Sequence, residues 1–136
     1  MRRRINPAGT SVMGAYSQGL SIPVGDSILV VTSGQIAADD AGNPLAPGDM
    51  TAQTRIVFDK LAAVLDEAGA ALKDVVKVQI FVTDMSRRQA VSAVRDEYLE
   101  GVDPVSTLVE ISKTVIDGCD IEVEAMAIVE QVGNEE

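Results

Sequence analysis

The tightest constraint on this chain is the alternation in the run Ile121-Glu122-Val123-Glu124-Ala125-Met126-Ala127-Ile128. A strand sends successive side chains to opposite faces, so Glu122 and Glu124 share one face. Apolar residues take the other. A second run, Val105-Ser106-Thr107-Leu108-Val109-Glu110-Ile111, reads the same way, with Ser106, Leu108 and Glu110 on one face. Carboxylates inside apolar strands face either solvent or a site, and the last third of the chain is where a site is to be sought.

The 136 residues are expected to form one domain over 1–136, with a real core. Only 3% of residues are aromatic, so that core must be built from Val, Ile, Leu and Ala. The formal charge of −10 repels phosphate backbones and anionic lipid, and no nucleic-acid partner is expected. No apolar stretch approaches membrane-spanning length, so no membrane partner is expected either. Met1-Arg2-Arg3-Arg4 is basic, yet Pro7-Ala8-Gly9-Thr10 stands where a signal peptide would carry its apolar run. Cys119 is the only cysteine, which excludes an internal disulfide framework, and the chain is expected to be cytoplasmic. There is no histidine. That removes Ser-His and Cys-His nucleophile pairs and most zinc sites, leaving Glu, Asp, Tyr, Lys or a positioned water for proton transfer.

Residues 16–24 read as a first strand ending at Pro23, with a Gly25-Asp26 turn leading into the clear strand Ser27-Ile28-Leu29-Val30-Val31-Thr32-Ser33. Residues 37–48, rich in Asp, Gly, Asn and Pro, read as a loop. Residues 49–68 form the best helix: Asp49 or Thr51 caps it, Ile56, Val57, Leu61, Val64, Leu65 and Ala68 fall on one face, and Gly69 stops it. A strand over 75–83 follows, with Val76, Val78, Ile80 and Val82 on one face. Asp84 or Ser86 then caps a second helix to about residue 100, with Ala90, Val91, Val94, Tyr98 and Leu99 inward. The order β-β-α-β-α-β-β predicts an α/β sandwich with both helices on one face of a mixed sheet. Val30, Val76, Val78, Val105 and Val123 are too many to be covered by two helices, so a partly apolar sheet face is expected to meet another copy of the chain.

Four segments then resemble the RidA/YjgF family of reactive-intermediate (enamine/imine) deaminases: Gly14-Ala15-Tyr16-Ser17-Gln18-Gly19, Thr32-Ser33-Gly34-Gln35-Ile36, Pro104-Val105-Ser106-Thr107-Leu108-Val109-Glu110 and Ile121-Glu122-Val123-Glu124-Ala125-Met126-Ala127. They occur in the family's order and at its spacing over nearly the whole chain. The resemblance implies a chorismate-mutase-like fold assembled as a homotrimer, with a central barrel and three intersubunit clefts that each take residues from two chains. It implies hydrolysis of the imine or enamine of a small 2-keto acid with release of ammonia and no metal or organic cofactor. The family's carboxylate-clamping arginine matches Ser106 here, its cysteine two residues on matches Leu108, and an asparagine near the second helix matches Ser92. Its last-strand glutamate matches Glu124 and its first-motif tyrosine matches Tyr16.

A serine hydroxyl does not reproduce a bidentate guanidinium–carboxylate contact, and losing such a contact in a dry pocket costs roughly 2–5 kcal/mol. A neutral or differently charged substrate is therefore expected, with Arg87 and Arg88 as the alternative sources of a clamp. Glu124, between Val123 and Ala125, is the expected acid/base, since desolvation suits a carboxylate to that work; the bland alternative is an ion pair at a subunit boundary. Glu122 is on the same face and is read as a proton-sharing partner or an edge residue. Tyr16, Ser33, Gly34, Ser92, Ser106, Thr107 and Leu108 are the expected substrate-binding residues; their ordinary alternatives are interface packing, a strand end and a filled sheet face. Cys119, among Asp117, Gly118 and Asp120, is not expected to be a nucleophile, and Asp39-Asp40 lacks metal-site spacing. The competing reading is a trimeric small-molecule-binding or regulatory protein without catalysis; a ribonuclease reading ranks below both on charge and aromatic content.

Overall fold

The computed structural model describes residues 1–10 and 12–130. Seven strands, β1 (Arg3–Ile5), β2 (Gly19–Val24), β3 (Ser27–Thr32), β4 (Gln35–Ile36), β5 (Val75–Val82), β6 (Val105–Glu110) and β7 (Ile121–Glu130), are combined with helices α1 (Met50–Glu67) and α2 (Arg88–Tyr98). The sheet order is β1-β2-β3-β7-β5-β6, with β4 also on β7. Among the described residues only β5 and β6 pair in parallel, and α2 lies in the crossover between them.

The expected sandwich is present, with two additional short strands. β1 lies in the patternless first fifteen residues and owes its place to pairing with β2. β2 starts at Gly19 rather than residue 16, where its pairing with Ile5 and Thr32 begins, and an added Cβ at Gly19 would lie 2.7 Å from Val64. The β2–β3 hairpin closes through Gly25 at φ 59 and Asp26, as the turn residues predict. Asp49 caps α1 by accepting from the Ala52 amide at 3.0 Å, and Gly69 follows the helix at φ 84. Asp84 caps a short 3-10 turn (Met85–Arg87) that precedes α2.

The two helices do not cover all five valines, since Val105 is 66% exposed, and one expectation about the sheet faces is corrected. Val30, Val78 and Val123 do find cover under the helices, each at most 1% exposed. Val76 leaves the predicted apolar face because a register shift between Val75 and Lys77 inserts a bulge. Val75 is buried in its stead and Val76 is 41% exposed. The sheet nonetheless has an uncovered face. Its exposed apolar side chains include Val105, Met126 and Ile128, and Glu122 and Glu124 lie on it too.

The helix face holds a continuous core that includes Phe58, Leu61, Leu65, Ile80, Ile121 and Val123. One polar side chain within this layer ties three segments together. Gln53 on α1 is 0% exposed. Its amide donates to the carbonyls of Leu45, Ala46 and Gly118 and its oxygen accepts from the Asp120 amide. The long 37–48 loop and the entry to β7 are thereby fixed to α1. Gln53→Ala strands several buried groups and is expected to cost about 3 kcal/mol, lowering Tm by roughly 10 °C in a calorimetric scan.

Candidate functional site

A cavity of about 490 Å³ opens where the β3–β4 junction meets β7, a size suited to a small organic ligand. Its wall includes Tyr16, Ser33, Gly34, Lys60, Ile116 and Glu122. Ser33 and Gly34 sit between the end of β3 and the start of β4, where the chain steps onto β7. The Ser33 amide donates to the Gln18 carbonyl at 2.8 Å and its hydroxyl to the Ser17 carbonyl at 2.6 Å. Those bonds hold the Tyr16-bearing loop against the junction. Buried Gln35 adds a third tie, donating to the Gln18 side-chain oxygen at 2.8 Å.

Gly34 lies directly under the Glu122 carboxylate. A Cβ at position 34 would stand 2.7 Å from the Glu122 carboxyl carbon, closer than atoms approach, so only glycine leaves the carboxylate its place. Glu122 is half-buried. Burial pushes its pKa above the ordinary carboxylate value, and the negative charge of Glu124 two residues along the same face pushes it further.

Of the residues expected from the sequence, the cavity brings Tyr16, Ser33 and Gly34 together with Glu122. It does not bring in Glu124, Ser92, Ser106, Thr107 or Leu108 of the same chain. Glu124 and Thr107 both stand opposite Gln79, in one row across the uncovered face. Ser106 and Leu108 pair with Val78 and Ile80 and so face the helix layer at the outer strand, with Leu108 packed on the core. Ser92 is on α2. The expected acid/base and the carboxylate at the cavity are thus neighbours on one strand, and the register of β7 puts Glu122 at the cavity.

Lys60 was not foreshadowed by the motifs. Its ammonium donates to the carbonyls of Ile36 at 2.8 Å and Ala38 at 2.9 Å, and burial lowers its pKa. The signal was a cation on the buried stripe of α1, between Val57 and Val64. Cys119 is 1% exposed and its thiol donates to the Ala37 carbonyl; burial raises its pKa, Lys60 opposes that and Asp120 adds to it. Arg87 is committed to Asp120 at 3.0 Å and also lies near Asp84. Among the described residues, no group of three or more His, Cys, Asp or Glu side chains is placed to hold a metal ion. Among them, too, no helix is long and apolar enough to cross a membrane.

A mixed sheet backed by two helices, with a carboxylate poised over a glycine at the strand junction, defines the class of protein. The family model described as "Endoribonuclease L-PSP" matches residues 8–129, and the chain belongs to this family, the RidA/YjgF group. A RutC family protein of Pyrococcus abyssi is 38% identical over 115 residues, 85% of this chain and 87% of that one. A protein of Dermatophagoides farinae named 2-iminobutanoate/2-iminopropanoate deaminase is 27% identical over 91% of this chain and 93% of its own. The crystal structure of a putative endoribonuclease from Thermotoga maritima superposes with a TM-score of 0.82 at 33% identity, covering 96% of this chain and 99% of that one.

The Glu122 shift has a sign that can be measured. A raised folded pKa means that, between the ordinary carboxylate value of 4.5 and the raised one, the native state binds more protons than the unfolded state. Stability therefore falls as pH rises through that window. Glu122→Gln removes the penalty. Its Tm is expected to exceed that of wild type at pH 7, and the difference is expected to vanish below about pH 4, where the carboxyl is protonated in both states.

Proposed function

We propose that this chain is a RidA-type deaminase, a single domain over residues 1–136, that hydrolyses a small imine or enamine to a carbonyl compound and ammonia. The observation that carries the reading is the half-buried Glu122 carboxylate over Gly34 at a cavity of substrate size. A relative named as a 2-iminobutanoate/2-iminopropanoate deaminase supports the reaction class. The role expected for Glu124 passes to Glu122, and Glu124 acts on it through charge.

The chemistry follows from one carboxylate. Ionised Glu122 takes a proton from water as the water oxygen bonds to the protonated C=N carbon and the π pair moves to nitrogen. The resulting carbinolamine holds hydroxyl and amine on one carbon. Glu122 then returns its proton to the amine nitrogen, the C–N bond breaks with its electron pair leaving on ammonia, and the hydroxyl proton passes to solvent water as C=O forms. A carboxyl with its pKa moved up toward working pH suits both halves. Tyr16 and Ser33 supply polar contacts at the wall, and the step needs no metal or organic cofactor.

The site is completed in a homotrimer, in the cytoplasm, where the β6–α2 edge of a neighbouring copy closes each cavity with its Ser92, Ser106, Thr107 and Leu108. The uncovered apolar face with Met126 and Ile128 supports such an assembly. Native mass spectrometry at micromolar concentration is expected to show the trimer; a monomer there refutes it. Ammonia release from a panel of small imines, charged and neutral, tests the reaction. Glu122→Gln is expected to lower kcat by about 10²–10⁴-fold, and Glu124→Gln by much less. Equal rates for wild type and Glu122→Gln overturn the assignment.

The serine at 106 favours one second reading, a ligand-binding protein without turnover. It predicts a small molecule that raises Tm but is recovered unchanged. Nucleic acid is not the proposed ligand, despite the wording of the family model. A charge of −10 and two tyrosines and two phenylalanines in the whole chain, with Phe58 fully buried, leave little for stacking or phosphate contact.

A further inference from the structure

We propose that the cavity at Glu122 selects a substrate that is cationic at its C=N group and carries no carboxylate: an iminium with an apolar body, the imine of an amine rather than of an amino acid. The reaction rests on the deaminase reading above; the charge preference rests on the wall of the cavity.

Three carboxylates stand on that wall, those of Asp39, Asp40 and Glu122, against one ammonium, that of Lys60. The ammonium is already in use, bonded to the carbonyls of Ile36 and Ala38, with the charges of Asp40 and Asp39 acting on it. Asp39 is held as an anion. Its Oδ1 accepts from the Asn43 and Ala41 amides at 2.8 and 3.0 Å and its Oδ2 from the Asn43 side chain, and the Asn43 bonds chiefly lower its pKa. Asp40 is exposed and makes no hydrogen bond among the described residues. The charge that acts on Glu122 is that of Glu124, which is negative too. An entering carboxylate therefore meets like charge, and the wall has no uncommitted cation to offset it.

The neighbouring copy proposed to close the cavity does not reverse that sign. Ser92, Ser106, Thr107 and Leu108 are uncharged, and the guanidinium that reaches Ser106, that of Arg95, is ion-paired to Asp96 at 2.9 Å. A serine at position 106 is then what the substrate calls for, since a cation needs no clamp of its own sign.

The rest of the wall says what the body of the substrate is. Met13, Tyr16 and Val115 are large apolar side chains left 70%, 48% and 74% exposed, and all three line this cavity. Ile36 and Ile116 continue the lining. Apolar side chains gathered around a cavity are covered by an apolar ligand. An iminium brings both parts, a planar charged head and a hydrocarbon body. One Glu122 oxygen accepts its N–H in a charge-assisted bond, and the second oxygen is left for the attacking water.

The test uses the full chain and matched pairs of opposite charge. Benzamidinium is a stable planar cation with the shape of an iminium, and benzoate has the same body with a carboxylate. In calorimetric titration wild type is expected to bind benzamidinium at least about 10-fold more tightly than benzoate. Glu122→Gln is expected to lower benzamidinium affinity by roughly 10-fold and Asp40→Asn by about 3-fold. The charge reversal Asp40→Lys is expected to lower it further and to strengthen benzoate binding. Benzoate binding as tightly as benzamidinium overturns the proposal, as does benzamidinium binding unchanged in both Glu122→Gln and Asp40→Lys. Ammonia release is then compared for phenylmethanimine, generated in the cuvette from benzylamine by a flavin amine oxidase, and 2-imino-2-phenylacetate, generated from phenylglycine by an amino-acid oxidase. The first is expected to have a kcat/KM roughly 10-fold or more above the second, with Asp40→Lys narrowing the gap through KM. A preference for benzamidinium with no acceleration of ammonia release from either imine sinks the deaminase reading and leaves the charge preference standing. Accelerated release that favours 2-imino-2-phenylacetate does the reverse.

Discussion

Everything else in this structure hangs on the alternation of β7. The strand pairs with β3, β4 and β5 at once, so its register fixes the centre of the sheet. Ile121, Val123, Ala125 and Ala127 are each at most 3% exposed and must face the helices. Burial of those four leaves no freedom for the even positions. A slip of one residue would drive Glu122 and Glu124 into the apolar layer and Met126 with them, at a desolvation penalty no local contact offsets. The position of the Glu122 carboxylate is thus set by the packing of the four residues that alternate with it.

That same register explains why two glutamates on one face have different surroundings. Glu122 lies opposite Ile36 of β4 and Phe81 of β5, beside the junction where Gly34 lets the backbone come close. Glu124 lies opposite Gln79, in a polar row that ends at Thr107. One carboxylate loses water on several sides; the other has a polar row beside it and supplies charge to the first. Burial and a like charge both push Glu122 in the direction that a proton-shuttling group requires, so packing and electrostatics act together there.

The fold was legible because its signals are local and redundant: the Gly25-Asp26 turn, the Asp49 cap, the apolar stripe of α1 and the alternation of β7 agree with one another. What escaped is what local signals do not carry. β1 has three residues and exists through pairing alone, β4 has two, and the bulge at Val76 reverses a face that simple alternation assigned. At the site, Tyr16, Ser33 and Gly34 were legible as a motif. The choice between Glu122 and Glu124 was not, because both satisfy the same alternation and only the third dimension says which one Gly34 lies under. Gln53 and Lys60 were visible as polar residues on a buried helical stripe, but their carbonyl partners belong to loops of no regular pattern.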